Sequence, residues 1–222
     1  WSSIMGRGPV GAPAIIRYRN NSLASVDDVS GANDSMVLIK TITASSSATI
    51  SFVNGSSDVV LDNTYPIYLF RYINVHPATD NKDFDFQVST DTGSSYGVAI
   101  TSTNHYSYSN ESGTTATGVE YVSSSDLANG TALQEISENV GGDNDQSGCG
   151  ELWLFNPSST TYVKHFQVTT TNYSRSDFNK HVFCAGYVNT TSAVDAVQFK
   201  FNGDGAANID VGTIKLYGIK DS

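Results

Sequence analysis

The chain has 222 residues, of which 39% are hydrophobic and only 15% charged, with a formal net charge of −10. That length suits one domain with its own core, and an acidic balance without clustered Lys and Arg excludes nucleic acid as a partner, because phosphate binding needs cations gathered in a patch. Abundant Ser, Thr, Asn and Gly with few Glu, Lys, Arg and Gln argue against a helical protein and for an all-β one.

The charge is unevenly divided. Arg7, Arg17 and Arg19 all precede Asp27, the first acidic residue, so the start carries +3 and the remainder −13. Residues 1–36 contain Gly6, Gly8, Pro9, Gly11 and Pro13 and then a polar stretch, and only Ala14 to Arg19 has the composition of a short strand. This pattern predicts an extended N-terminal arm, with residues 37–222 forming the folded domain. Two readings of the arm stand: a solvated basic tail, or a docking arm whose Arg7, Arg17 and Arg19 engage an acidic neighbour. No apolar run approaches membrane-spanning length and the start lacks a signal peptide's apolar centre, so a soluble protein without membrane insertion or targeting segment is expected. The first residue is Trp1, not Met, which points to trimming.

Regular alternation begins at Met36 to Ile39 and resumes at Ala48 to Val53 after an Ala-Ser-Ser-Ser turn or bulge. Tyr65 to Val75 places Ile67, Leu69, Arg71 and Ile73 on one face and Tyr68, Phe70 and Tyr72 on the other. Both faces are mostly apolar, which predicts a central strand packed on two sides, with Arg71 snorkelling at a rim. Phe84, Phe86 and Val88 alternate with Asp85, Gln87 and Ser89, and a turn at Thr90 to Ser95 is expected to bring Tyr96 to Thr101 back alongside. Leu127, Leu133, Ile136 and Val140 have a partly helical spacing, so one short helix is predicted over Asp126 to Val140, weakened by Gly130. Strands follow at Glu151 to Phe155, Tyr162 to Thr170 and His181 to Val188. Thr-Ser-Thr-Asn-His-Tyr-Ser at 101–107 and Thr-Thr-Thr-Asn-Tyr-Ser at 169–174 echo each other too briefly to mark a repeat.

The chain closes on Val197, Phe199 and Phe201, a Gly/Asn/Asp loop from Asn202 to Asn208, and Ile214, Leu216 and Gly218. The two alternating runs predict a long antiparallel hairpin with one buried face. Roughly ten strands separated by turn signals make the class an antiparallel β-sandwich, jelly-roll-like, with one short helix and the extended arm.

Chemistry-bearing motifs are few. Asp91-Thr-Gly-Ser-Ser95 spells an aspartic-protease loop, but that mechanism needs two aspartates sharing a proton, and the letters equally suit a tight hairpin turn. Gly93-Ser-Ser-Tyr-Gly97 spells a nucleophile elbow, yet it lies between strands and not at a strand-to-helix turn. Asp143, Asp145 and Ser147 stand at alternate positions with Gly148 sixth, the first half of a calcium loop. Leu154 stands where the bidentate Glu belongs, and Glu151 offers a carboxylate at the ninth position, so the alternatives are a calcium site and a solvated acidic loop. No other cofactor is implied. His76, His105, His165 and His181 lack paired zinc spacing. Cys149 and Cys184 admit one disulfide or two free thiols. Tyr106, Tyr108, Tyr121, Tyr162 and Tyr173 would suit either stacking on sugars or cross-strand packing.

Gly-Thr-Ile-Lys-Leu-Tyr-Gly-Ile-Lys (212–220), with Tyr65 to Asp80, Phe84 to Tyr96, Leu154 to Phe166 and Asn189 to Phe201, resembles virion structural proteins of tailed phages that infect marine bacteria. The resemblance covers most of residues 37–220 and supplies no catalytic or ligand residues. It implies a non-enzymatic virion component: a tail fibre or other surface appendage, or a capsid-decorating protein. Other virion proteins, copies of the same chain (a trimer first) and a host-surface glycan would be its partners. A free carbohydrate-binding module is the competing reading from another class.

Overall fold

In the computed structural model, side chains are described for residues 35–113 and 116–220, and backbone also for a small strand pair at Tyr18–Arg19 (β1) and Ser22–Leu23 (β2). The chain divides into two compact units at Asp34/Ser35. The side chains of Arg7, Arg17 and Arg19 lie outside the described residues.

The unit from Ser35 onward is built from twelve strands: β3 (Met36–Thr43), β4 (Ile50–Val53), β5 (Ile67–Pro77), β6 (Lys82–Ser89), β7 (Ile100–Asn110), β8 (Thr117–Tyr121), β9 (Gln134–Val140), β10 (Gly148–Phe155), β11 (Lys164–Tyr173), β12 (Phe178–Val188), β13 (Ala196–Gly203) and β14 (Ile209–Ile219). They form two antiparallel sheets, an eight-stranded one ordered β3-β14-β5-β10-β11-β12-β7-β8 and a four-stranded one ordered β4-β13-β6-β9. Setting aside the hairpins β7-β8 and β11-β12, successive strands alternate between the sheets except for β6 and β9, which pair within the narrow one, and the orders β3-β14-β5-β10 and β4-β13-β6-β9 are those of a jelly roll. The hairpins are insertions that widen one sheet only. No helix occurs among the described residues.

The expected helix over Asp126 to Val140 is therefore replaced by an irregular segment and β9. Gln134 and Ile136 are both fully buried, a two-residue period, and Asn139 adopts φ 53° where the register with β6 shifts. Val140 stays in phase with Gln134 and Ile136, and the helical appearance comes from the Leu133, Ile136 and Val140 spacing, while the bulges fall around Ser137.

The closing hairpin is also corrected. β13 pairs with β4 and β6 in the narrow sheet, whereas β14 pairs with β3 and β5 in the broad one. The Asn202–Asn208 loop thus crosses the sandwich as an arch, and the two apolar faces meet across the core. The same holds after the 90–95 turn: β6 stays in the narrow sheet, and β7 begins in the broad one at Ile100.

Phe199 is the centre of that core. Its ring packs against Phe52, Phe70, Tyr72, Phe84 and Phe86, with centroids 5.5–6.5 Å away. These rings come from both sheets and all are at most 1% exposed. Each such side chain contributes about 1.5–3 kcal/mol of burial, with edge-to-face pairs adding to it. β5 lies inside the broad sheet between β14 and β10. Its inward Tyr68, Phe70 and Tyr72 are buried, and on the outer face Leu69 is buried as well and Ile67 half-buried, while Arg71 and Ile73 (43%) are exposed.

Candidate functional site

Past β10 the broad sheet outruns its partner. Over β11, β12 and β7 the cover consists of β9, the edge strand of the narrow sheet, and the irregular segment before it. Buried amides join this cover to the sheet and to itself. Asn104 Nδ2 donates to the Glu135 carbonyl at 3.3 Å, Asn172 Nδ2 to the Glu138 carbonyl at 3.1 Å, and Gln134 Nε2 to the Ser125 carbonyl at 3.0 Å. Asn104 and Asn172 are the two asparagines of the short echo at 101–107 and 169–174. Each donates to a buried β9 carbonyl, and the Glu135 carbonyl also accepts from Gln134 Nε2 at 2.9 Å.

Beyond these amides the inner face of the overhang opens into a concavity of about 310 Å³, lined by Tyr106, Tyr108, Glu120, Phe178, Lys180 and the rim residues Asn139 and Arg175, with Ser174 and Ser176. Register places these groups together: Tyr106 stands opposite Glu120 and Val182, and Tyr108 opposite Gly118 and Lys180. Gly118 matters here, because a Cβ at that position would stand 3.2 Å from the Tyr108 ring. The Tyr106 and Tyr108 rings meet edge-on at 5.7 Å, and Tyr108 and Phe178 at 5.9 Å. Lys180 Nζ lies 4.5 Å above the Tyr106 ring centroid and 2.6 Å from Glu138 Oε2. The Tyr106 hydroxyl donates to Glu120 Oε2 at 3.0 Å. Burial first, then the carboxylates of Glu138 and Glu120, push its pKa upward, so it remains a donor.

Comparison of the chain with protein-family models, with curated proteins and with solved structures finds no match.

A second group of polar residues was not anticipated. Asp83 and Asp85 of β6 point away from the core, yet Asp85 is only 4% exposed and its register partners are Glu135 and Lys200. Burial raises Asp83, raises Asp85 well above the usual carboxylate range, and lifts Glu135 to about 7. One Asp85 oxygen has no hydrogen-bond partner. Among the described residues no group of three His, Cys, Asp or Glu side chains is placed to hold a metal ion.

The motif residues occupy turns. Asp91 accepts hydrogen bonds from the Ser89 hydroxyl and from the Ser95 amide and hydroxyl, which lower its pKa to about 2. It closes the turn on itself. In the 143–147 loop, Asp143 and Asp145 are exposed, Ser147 is half-buried, and Gln146 turns inward, its side-chain oxygen accepting from the Asp143 amide at 3.1 Å. Cys149 and Cys184 are both free thiols. Cys149 donates to Asn74, whereas Cys184 is buried against Val168 and pushed up to about 12 by burial.

The outer face of the broad sheet is unusual. Register puts Met36, Leu38, Ile73, Val119, Tyr121 and Phe183 there, and these are six of the eight exposed large hydrophobic residues among those described. The Phe183 ring stacks on His105 at 5.3 Å and lies 4.4 Å from His181.

Proposed function

We propose that the protein is a non-enzymatic structural component of a tailed-phage virion, a tail fibre or another surface appendage, that assembles with copies of itself through the outer face of the broad sheet, as a trimer in the first instance. The observation that carries this reading is the set of exposed apolar side chains on the outer face, Met36, Leu38 and Ile73 toward one edge and Val119, Tyr121 and Phe183 toward the other. An antiparallel sheet can leave one face to water, and that face then carries mainly polar side chains; six large exposed hydrophobic residues depart from that pattern. Exposed apolar area of this kind marks a contact surface. The resemblance of residues 37–220 to phage virion proteins supports the choice of particle, and a capsid-decorating role is the same reading at another position. A free carbohydrate-binding module is favoured by one observation, the aromatic concavity beneath the overhang.

Native mass spectrometry at micromolar concentration tests the assembly. An oligomer is expected, and Phe183→Ser together with Leu38→Ser should shift it to monomer without lowering Tm by more than a few degrees, because both side chains are partly solvated already. A wild-type monomer would count against the interface. Absence of the chain from purified particles would remove the virion reading.

A further inference from the structure

We propose that the concavity under the overhang is a binding site for a neutral saccharide, of one or two pyranose rings. The inference does not depend on the chain being carried by a particle. A cavity of about 310 Å³ is at the lower end of the range for small-ligand clefts. A pyranose has apolar C–H faces and a rim of hydroxyls that both donate and accept. It needs aromatic surface and, at the edge of that surface, planar polar groups of both kinds.

The site has that division. Tyr108 and Phe178 are half-buried and present ring surface to the cavity, held by edge contacts to each other and to Tyr106. The Lys180–Glu138 ion pair over Tyr106 fixes the floor, with the Lys180 residue 9% exposed. At the rim, the Arg175 guanidinium and the Asn139 side-chain amide make no hydrogen bond or ion pair within the described structure, and Glu120 accepts from Tyr106 through one of its oxygens. The fold leaves these donors and acceptors unused.

Charge selects among ligand classes. Glu120 and Glu138 balance Lys180 and Arg175, so the site is neutral in a chain of net charge −10. A phosphate or nucleotide would meet Glu120 and a lysine already neutralised by Glu138, and would gain little from a single free guanidinium. A divalent cation lacks a ligand set. A purely apolar ligand would strand the charged rim without partners. A neutral polyol satisfies the rim and covers the rings.

The test is a two-dimensional NMR titration of the full chain with maltose, lactose and mannobiose, each to about 10 mM, where a 1 mM site is mostly filled. At least one is expected to shift the amides of Gly118 and Phe178 saturably. Arg175→Ala and Tyr108→Ala should each weaken that binding about tenfold or more. Arg175 is exposed, so its variant keeps the fold, and Gly118→Ala supplies an independent variant that displaces the Tyr108 ring. No saturable shift with any of the three, or binding indifferent to Arg175→Ala and Gly118→Ala, overturns the site. Tighter binding of digalacturonic acid or of inorganic phosphate overturns its neutral selectivity.

Discussion

The two halves of the broad sheet are held down by different physics. From β3 to β10 it faces the narrow sheet strand for strand, and the interface is a cluster of rings around Phe199. From β11 to β8 it faces β9 and irregular chain, and beside the apolar contacts of Phe166, Val168, Cys184 and Val188 it is stitched by the buried amides of Asn104, Asn172 and Gln134. The reason lies in what each half must cover. Two sheets face to face present only side chains to one another, so non-directional apolar packing suffices. An edge strand presents backbone carbonyls as well, and once buried these require donors aimed at them. Packing that is directional also leaves gaps, and the saccharide-sized concavity opens in the amide-stitched half.

Truncation separates the two halves most sharply. Phe199→Ala removes the ring shared by five neighbours from both sheets and should cost about 3–5 kcal/mol. In a denaturant melt that is a large fraction of the whole stability. A loss below about 1 kcal/mol would mean that the covered half does not depend on that cluster.

A smaller and more local effect is expected in the overhang. Asn172→Leu removes the side-chain donor to the Glu138 carbonyl, at about 1–3 kcal/mol, and Asn104→Leu should cost less, because Gln134 Nε2 still donates to the Glu135 carbonyl. Amide exchange should quicken in β9 while β13 stays protected, since the apolar cluster is untouched. Equal loss of protection in both strands would show that the halves unfold as one unit and would erase the distinction.

How much of this was legible depends on whether a feature belongs to one strand or to a pair. Alternation is a property of a single strand, so Val197, Phe199, Phe201, Ile214 and Leu216 were assigned inward correctly, and all are fully buried. Partner choice is not, and an arch between sheets has the same alternation and the same turn residues as a hairpin. The apolar outer face of β5 was visible as Ile67, Leu69 and Ile73, but the pattern could not say whether a second layer of the same chain covers it. Among the concavity residues, Tyr106 and Tyr108 stood out as tyrosines, whereas Lys180 reaches them only through the β7–β12 register, 72 positions after Tyr108. The echo around Asn104 and Asn172 looked like chance in a Thr-rich chain. Its meaning lies in a third strand, β9, which neither copy contains.

The overhang should also respond to pH in a way the ring cluster does not. Glu135 sits where β9 meets both layers, facing Asp83 and Asp85 of β6, Ser125, Lys180 of β12 and its own neighbour Glu138. Burial is the main cause of its rise to about 7, repulsion by Asp83 adds to it, and Lys180 and the Ser125 hydrogen bond oppose it without cancelling it. A carboxyl whose folded pKa lies above its unfolded value favours the folded state when protonated. Its contribution is complete below the unfolded pKa of about 4.3 and is lost as pH rises through 7. Stability should therefore increase as pH falls from 8 to 5, with the loss at pH 8 on the order of 1–3 kcal/mol. Asp91 works in the opposite direction, but its lowered pKa of about 2 moves that effect below pH 4, outside the window. Glu135→Gln keeps the shape and removes the charge, so it should raise Tm at pH 8 and flatten the slope between about pH 5 and pH 7. A Tm that falls from pH 8 to 5 would contradict the burial of these carboxyls. A slope that survives Glu135→Gln would transfer the titration to Asp85, which burial and its acidic neighbours raise in the same direction.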